Sequence, residues 1–462
     1  MQKYILSALT YFLLLYKLLP AQTSFSFAAI GDYGYAGSAE LAVSNLVKSF
    51  NPEFIITLGD NNYDFGEEST IDLNIGQYYS EFIFPYYGIY GSGDTVNRFF
   101  PSLGNHDWYT NNAMPYLNYF TLPGNERYYE FVKGNVHFFS VDSDHNEPHG
   151  RDSSSVQAYW LKNALYKSAS DFKIVYFHHP PYSSSSGHGS DPEMQWPFKK
   201  WGASIVLAGH DHNYERIFFD SLTYIVNGLG GRSLYSFNKP VEGSIARYSK
   251  DFGAMIFRAY KDSLAGIFYS ISDSIIDNFV IQPSKKNLKL RLMIEGMFNP
   301  ESGIIKEDSI NIKLRKAVSP YEEVESSINY SDNEGKLEFI LTEIKNATSY
   351  YLQVNHRNSI ETWSAGNFLF FLDKMDYDFT TDSLKAYGNN LKLKGGKYCI
   401  YSGDVNQDGF IDANDNMLID NLSAQFSLGY LPEDLNGDDF VDASDLLISE
   451  NNSSNFIHAV IP

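Results

Sequence analysis

Phe25-Ser-Phe-Ala-Ala-Ile-Gly-Asp-Tyr-Gly34 begins with an apolar run, residues 25–30, that is followed by a glycine and an aspartate, and this arrangement recurs along the chain. A short apolar run without alternation is typical of a strand buried on both faces. Helix-like stretches at residues 38–50 and 153–168 lie between some of the runs. Strands that alternate with helices predict an α/β fold with a sheet covered on both faces. The further runs occupy residues 54–58, 99–103, 136–141, 172–177, 205–208 and 223–226.

Five polar motifs lie at or just after the ends of these apolar runs. Ligands in open α/β sheets bind at the carboxyl ends of strands, where the loops meet, so we predict that the motifs form one site. In four of them, a glycine beside the candidate ligand lets the backbone approach an ion closely. The motifs are Gly31-Asp32-Tyr33-Gly34, Gly59-Asp60-Asn61-Asn62-Tyr63, Gly104-Asn105-His106-Asp107, Val175-Tyr176-Phe177-His178 and Gly209-His210-Asp211-His212.

The candidate ligands in these motifs are chemically mixed. Carboxylate, phenolate, amide and imidazole groups suit two first-row transition ions better than calcium or a single structural zinc. Two such ions about 3.5–4 Å apart form a clamp that is used for phosphoryl transfer. The candidate ligands are Asp32, Asp60, Tyr63, Asn105, His178, His210 and His212.

The five motifs resemble those of the calcineurin-like metallophosphoesterase superfamily. Tyr63, three residues after Asp60, is similar to the purple (tartrate-resistant) acid phosphatase branch, as are residues 178–183 and 209–216. The resemblance covers about residues 25–260. It implies a four-layer α/β/β/α sandwich and a metal-dependent phosphoric ester hydrolase, an acid phosphatase that cleaves phosphate monoesters with a metal-bound hydroxide as nucleophile.

The resemblance also implies how the ligands are shared between two ions. Fe(3+) would be bound by Asp32, Tyr63 and His212, a divalent ion (Fe, Zn or Mn) by Asn105, His178 and His210, and both ions by Asp60.

Two further histidines would be catalytic by the same resemblance. His106 would protonate the departing alkoxide, and His188 falls where the family has a second catalytic histidine, although it is one residue further from His178 than expected. His179 is the alternative to His178 as a ligand.

A phosphodiesterase or nucleotidase on the same metal site is an alternative function, because the motifs define the metal ligands and not the wall of the substrate pocket. A surface binding protein that uses the fold as a scaffold is another alternative.

The second half of the chain has a different pattern. Residues 283–400 contain short apolar or alternating runs separated by polar turns, which predicts an all-β sandwich with an accessory role. Residues 401–462 hold twelve Asp and Glu residues and no Lys or Arg. Residues 404–415 return as residues 434–445 with seven identical positions, so the segment is a loop-helix repeat.

This repeat resembles the dockerin module, in which each loop binds Ca(2+). The resemblance implies a cohesin-like or cell-surface partner. The second loop departs from the pattern, because Asp439 stands where Gly409 stands in the first. The implied calcium ligands are Asp404, Asn406, Asp408, Phe410 and Asp415 in the first loop, and Asp434, Asn436, Asp438, Phe440 and Asp445 in the second.

The N-terminus and the composition predict where the protein works. Lys3, the apolar run to Leu19 and Ala21 have the pattern of a signal peptide, and Lys17 interrupts the run that a transmembrane anchor would need. We expect a secreted or cell-surface protein, with the periplasm as the alternative. A net charge of -21 argues against a nucleic-acid partner, and the single cysteine excludes an internal disulfide.

The predicted domains are a signal peptide at residues 1–21, a metallophosphoesterase domain at 22–282, a β-sandwich at 283–400 and the calcium-binding repeat at 401–462.

Overall fold

The structure is a computed structural model that describes residues 25–462. The predicted signal peptide therefore lies outside the described residues. The chain divides into two compact units, with the boundary between Pro283 and Ser284. Within the described residues, no helix combines the length and the apolar content that crossing a membrane requires.

Two mixed sheets form the centre of the first unit. In chain order their strands are β1 Phe25–Ile30, β2 Phe54–Thr57, β3 Phe99–Pro101, β4 Tyr129–Lys133, β5 Val136–Ser140, β6 Phe172–Phe177, β7 Ile205–Ala208, β8 Tyr214–Phe219, β9 Leu222–Asn227, β10 Ser244–Tyr248, β11 Gly253–Ala259, β12 Leu264–Ser270 and β13 Ile275–Ile281. One sheet has the strand order β13-β12-β11-β1-β2-β3, and the other has the order β10-β8-β9-β7-β6-β5-β4. Neighbours β1, β2 and β3 are parallel, and so are β5, β6, β7 and β9.

Helices cover the outer faces of both sheets. The two longest hold twelve residues each and match the two predicted helical stretches. Ser155 caps the second of them by accepting a hydrogen bond from the amide of Ala158. The α-helices of this unit are α1 Ser38–Ser49, α2 Glu68–Ile71, α3 Gln77–Tyr79, α4 Asn105–Trp108, α5 Met114–Tyr119, α6 Val156–Lys167 and α7 Phe198–Trp201.

Successive side chains of a strand point to opposite faces, and this alternation separates three apolar cores. Ile55 of β2 packs in a core with Val43 of α1. Phe27 of β1 faces the other way, into a core that it shares with Phe138 of β5. Val206 of β7 packs in a third core together with Leu161 of α6. The predicted mixed α/β fold is confirmed, and its cores lie in the order helix-sheet, sheet-sheet, sheet-helix.

The second unit is rich in β-structure, as predicted for its first part. Its strands are β14 Lys286–Arg291, β15 Phe298–Asn299, β16 Ile304–Ile305, β17 Ser309–Lys316, β18 Glu323–Tyr330, β19 Lys336–Leu341, β20 Ser349–His356, β21 Ser359–Trp363, β22 Phe368–Leu369, β23 Lys374–Asp378, β24 Lys392–Lys394 and β25 Lys397–Cys399. A sheet of order β19-β14-β23 and a sheet built on β18-β17-β20-β21 contribute residues to one apolar core, among them Leu290 of β14 and Ile312 of β17.

Each acidic loop of the repeat is followed by an eleven-residue helix, α8 Ala413–Ser423 and α9 Ala443–Ser453. Asp412 and Asp442 cap the two helices in the same way, so the sequence repeat is a structural repeat. Ile411 belongs to the core of the β-rich region. The repeat thus packs within the second unit, and a domain boundary at residue 400 stays a prediction.

Candidate metal centre

The candidate ligands lie at the carboxyl ends of parallel strands. Asp32 follows β1, Asp60 follows β2, and Asn105 follows β3. Since these three strands are parallel neighbours, their loops emerge at the same edge of the first sheet. His178 and His210 follow the parallel strands β6 and β7 of the second sheet in the same way. This is where ligands of open α/β sheets bind.

One group of donors surrounds the hydroxyl of Tyr63. The Tyr63 hydroxyl lies 2.7 Å from Asp60 Oδ2 and 3.0 Å from Asp32 Oδ1. His212 Nε2 lies 3.3 Å from the Tyr63 hydroxyl and 3.3 Å from Asp32 Oδ1. All four side chains are buried. The structure therefore brings together two carboxylates, a phenol and an imidazole.

A second group of donors surrounds Nε2 of His178. Asn105 Oδ1 and His210 Nδ1 each lie 3.1 Å from this nitrogen, and Asp60 Oδ1 lies 3.3 Å from it. Asp60 therefore presents Oδ2 to the Tyr63 group and Oδ1 to the His178 group. One oxygen of this carboxylate thus lies in each group, which is the position that a bridging ligand requires.

Hydrogen bonds on the far side of the rings orient two of the histidines. His178 Nδ1 lies 2.8 Å from the carbonyl oxygen of Leu58. Because a carbonyl can only accept, Nδ1 donates and the lone pair of the neutral ring is on Nε2, which faces the donor group. The Nδ1 atom of His212 contacts the Ser233 hydroxyl, so its Nε2 is likewise turned toward the site.

The charges of the site favour a cation. Burial opposes the charged form of His178, but Asp60 and Asp32 outweigh it and raise the pKa of this imidazole to about 10. Burial also opposes ionisation of Asp60, yet the neighbouring histidines hold the pKa of its carboxyl below its usual range. Burial and the nearby His178 keep the pKa of His210 well below its ordinary value, so this ring stays neutral and able to ligate. The donor set thus fits transition-metal ions.

Three of the candidate ligands have a left-handed backbone conformation. The φ angles are 57° at Asp32, 54° at Asp60 and 68° at His210. A residue with a side chain adopts this conformation at a cost on the order of 1 kcal/mol, and such strain concentrates at functional sites. The fold therefore holds these three residues in an unfavourable backbone conformation, which directs their side chains toward one point.

Comparisons with known proteins match the part of the chain that holds this site. Residues 25–214 match the family model described as calcineurin-like phosphoesterase. Residues 25–214 are therefore similar to a calcineurin-like phosphoesterase domain. The matched segment contains all seven candidate ligands and both candidate catalytic histidines. Together with the acid phosphatase relatives described next, this match supports a phosphoric ester hydrolase.

Curated relatives of the phosphoesterase domain are acid phosphatases of low identity. The chain is 23% identical over 244 residues to tartrate-resistant acid phosphatase type 5 of Oryctolagus cuniculus, which covers 46% of this chain and 74% of the relative. It is 25% identical over 293 residues to purple acid phosphatase 17 of Arabidopsis thaliana, covering 56% and 84%. A solved purple acid phosphatase from yellow lupin (Lupinus luteus) aligns with a TM-score of 0.47 and 17% identity, over 56% of this chain and 54% of that one.

Both candidate catalytic histidines border the candidate metal centre. His106 Nδ1 lies 2.5 Å from the carbonyl oxygen of Asp64, and its Nε2 lies 3.9 Å from Asp60 Oδ2. The ring of His188 stacks on that of His210 with 3.9 Å between centroids, although His188 is exposed. Roles for both residues stay predictions.

His179, the alternative to His178, is also close. His178, His179 and His210 form one of the two groups of described acidic, histidine or cysteine residues whose donor atoms lie within 4.8 Å of one another; Asp32, Asp60 and His178 form the other. His179 Nδ1 lies 2.9 Å from the Ser143 hydroxyl. The structure thus adds a third histidine to this side of the centre.

Several residues of the site were not assigned a role from sequence. Asp211 is buried and accepts hydrogen bonds from the Ser183 hydroxyl and the amide of His188, so it holds the loop that carries this histidine. The position of Asp211 inside the motif Gly209-His-Asp-His212 is the sequence signal that could have identified it. Arg232 and Tyr109 also lie beside the centre, and neither belongs to a motif that the sequence analysis singled out.

The two acidic loops of the second unit fold alike. Asp415 Oδ1 accepts hydrogen bonds from the amides of Val405 and Asn406, and Asp445 Oδ1 accepts the equivalent pair in the second loop. Asp404 Oδ2 accepts from the amide of Gly409 at 3.2 Å. The first and last aspartates of each loop are buried, with exposed fractions of 2% or less.

Carboxylates that face each other in these loops resist ionisation. Burial, with Asp415 opposite, raises the pKa of Asp404 to about 7. Burial raises the pKa of Asp445 to about 6. Asn406 Nδ2 bonds Asp408 Oδ2 at 2.9 Å, and Asn436 bonds Asp438 in the same way at 3.0 Å. The side chains proposed as calcium ligands thus lie along each loop. The backbones of Phe410 and Phe440 are tied to the fifth residue of their loops.

Proposed function

We propose that this chain is an exported acid phosphatase that hydrolyses phosphate monoesters at a dinuclear metal centre. The observation that carries the proposal is the position of Asp60, whose two carboxylate oxygens face two separate groups of donors. A single ion would need only one such group. The phosphoesterase family match and the acid phosphatase relatives support the same reaction class.

The residues would divide between the ions as follows. Asp32, Tyr63 and His212 would hold a ferric ion, and Asn105, His178 and His210 a divalent iron, zinc or manganese ion, with Asp60 shared. Such ions supply Lewis-acid activation of water and of the phosphoryl oxygens.

A histidine of the protein would supply the proton that the leaving group needs. Since the Asp64 carbonyl can only accept, Nδ1 of His106 donates to it and its Nε2 is turned toward the bridging Asp60. From there a protonated His106 donates to the departing alkoxide, as a general acid does. His188, packed on His210, is proposed to assist from the opposite group of donors.

The test joins metal content to activity. Purified protein should contain iron plus a second metal, show a visible phenolate-to-iron band, and hydrolyse a monoester such as phenyl phosphate faster than a diester such as bis(p-nitrophenyl) phosphate. Asp60→Asn should abolish hydrolysis, because a carboxamide bridges two cations poorly. The matched control is Asp262→Asn, which changes an exposed turn between β11 and β12. A metal-loaded wild type that hydrolyses neither ester would refute the proposal, and faster diester hydrolysis would make it a phosphodiesterase.

We also propose that the protein is exported to the medium or the cell surface after cleavage near Ala21. Mass spectrometry of the mature protein tests this directly, with a mass that begins near residue 22 as the expected result.

The C-terminal repeat is proposed to bind two calcium ions and to attach the protein to a cohesin-like or cell-surface partner. The buried, mutually facing aspartates of each loop support the calcium sites. Calorimetric titration of the full chain should give two calcium ions per chain, and Asp404→Ala should remove one of them. A stoichiometry unchanged by this substitution would contradict the assignment.

A further inference from the structure

Arg232 places a positive charge on the border of the metal centre. Its amide donates to the carbonyl oxygen of Asp32 at 3.2 Å, which fixes the residue next to a proposed ligand. The guanidinium carbon lies 4.2 Å from the ring centroid of Tyr35 and 5.1 Å from that of Tyr63. Contacts of this kind hold a cation through the electrons of the rings. The guanidinium thus has a defined position beside the site although its side chain is 31% exposed.

Asp64 places this cation on the side of the leaving group. Arg232 Nη2 donates to Asp64 Oδ1 at 2.8 Å, while the backbone carbonyl of the same Asp64 accepts from His106. His106 is the proposed donor to the departing alkoxide. The group that leaves the phosphate must therefore pass next to His106. Asp64 bonds both His106 and Arg232, so the guanidinium lies near the path of the leaving group.

Most of the hydrogen-bonding capacity of Arg232 is unused by the protein. A guanidinium carries five N–H donors, and Asp64 takes up one Nη2 donor. The remaining donors bond no other atom in the part of the chain that the structure describes. Asp64 is itself 48% exposed, so it neutralises the guanidinium incompletely.

We infer that Arg232 forms an anion subsite for a second negative group on the leaving group of the substrate. This inference rests on the proposed phosphatase function. The favoured substrates would be phosphate monoesters with a carboxylate or a further phosphate close to the ester oxygen. Without the guanidinium, the carboxylate of Asp64 would repel such a group. The planar guanidinium is suited to bind it through two parallel hydrogen bonds.

The test compares two esters that differ by one charge. Phosphoglycolate carries a carboxylate where ethyl phosphate carries a methyl group. The wild type should favour phosphoglycolate in kcat/KM, and Arg232→Gln should reduce this preference about ten- to hundredfold, the usual effect of losing a charged hydrogen bond. Arg232→Lys should give an intermediate preference for phosphoglycolate, because lysine keeps the positive charge but lacks the planar pair of N–H donors. Arg258→Gln is the control, since it removes an exposed arginine that pairs with Ser26 at the end of β1 remote from Asp32.

A binding measurement separates this inference from the proposed function. By calorimetry, phosphonoacetate should bind more tightly than ethylphosphonate to metal-loaded wild type, and the difference should shrink in Arg232→Gln. A wild type that hydrolyses neither ester would refute the phosphatase proposal. An equal preference for phosphoglycolate in wild type and Arg232→Gln, or an unchanged difference between the two phosphonates, would overturn the subsite.

Discussion

At the scale of single residues, the hydroxyl of Tyr63 has a carboxylate on either side, with Asp60 at 2.7 Å and Asp32 at 3.0 Å. Burial, together with these carboxylates, raises the pKa of Tyr63 well above its ordinary value, so a phenolate forms there only when a cation displaces the proton. Tyr63→Phe should therefore remove the visible band of iron-loaded protein. Tyr79→Phe is the control, because it removes a buried hydroxyl without a hydrogen-bond partner among the described residues. A band that survives Tyr63→Phe would assign the colour to another residue.

His106 is the other residue whose role a single substitution can isolate. It touches Asp60 through its backbone amide, at 3.0 Å from Oδ1, and this contact survives truncation of the ring. His106→Ala should keep both metals, measured by elemental analysis, while kcat falls about 10²–10⁴-fold for loss of a general acid. His145→Ala, which truncates an imidazole with a 72% exposed side chain, should change neither. Loss of metal in His106→Ala would make this residue a ligand.

At the scale of elements, the turn before α4 must pass very close to the loop after β2. A Cβ atom added to Gly104 would lie 2.2 Å from the backbone nitrogen of Asp60 and 2.3 Å from its Oδ1. The φ angle of Gly104 is -117°, so only space, and not backbone strain, demands glycine there. Gly104→Ala should displace Asp60, lower metal content and destabilise the chain by about 1–3 kcal/mol. Gly366→Ala, which meets nothing within 4 Å, should leave the unfolding midpoint and the metal content unchanged.

The two acidic loops use the same left-handed position with different residues. The φ angle is 87° at Gly409 and 70° at the equivalent Asp439. Aspartate tolerates this conformation, but less well than glycine does. Asp439→Gly should tighten calcium binding at the second loop by up to about 1 kcal/mol, and Gly409→Asp should weaken the first loop to a similar extent. Calorimetry on the full chain measures both, and opposite signs would show that the side chain of Asp439 itself ligates.

At the scale of the whole molecule, calcium and pH should act together on the second unit. With Asp404 titrating at about 7 and Asp445 at about 6, the calcium-free folded chain retains protons that an unfolded aspartate, with a pKa of 3.8, has lost. The free energy of unfolding should therefore fall as the pH rises from about 4 to about 7, and saturating calcium should abolish this fall. Scanning calorimetry with and without calcium measures the effect. The double variant Asp404→Asn, Asp445→Asn should have a flatter calcium-free profile. An identical slope with calcium would contradict the calcium sites.

The sequence predicted strands well where both faces are buried. β1, β6 and β7 have the predicted bounds, because a strand covered on both sides is a continuous apolar run. The strands from Ser244 to Ile281 were not predicted. In β12 buried and half-buried residues alternate, and the apolar residues of β13 are interrupted by Asp277 and Asn278, so neither strand is buried on both faces along its length. Edge and one-sided strands are defined by their pairing partners rather than by their own composition.

The sequence by itself determined the α/β class, the candidate ligands and the loop-helix repeat. It could do so because each of these depends on residues that are neighbours in the chain: an apolar strand, the glycine that ends it and the ligand that follows. The tertiary structure alone decided that Asp60 stands between two groups of donors, since each group combines residues that follow strands of both sheets. It alone decided that Arg232 reaches Asp64, a contact between residues 168 positions apart. Side chains brought together by folding leave no pattern in the local sequence, so these contacts required the packing of the whole unit.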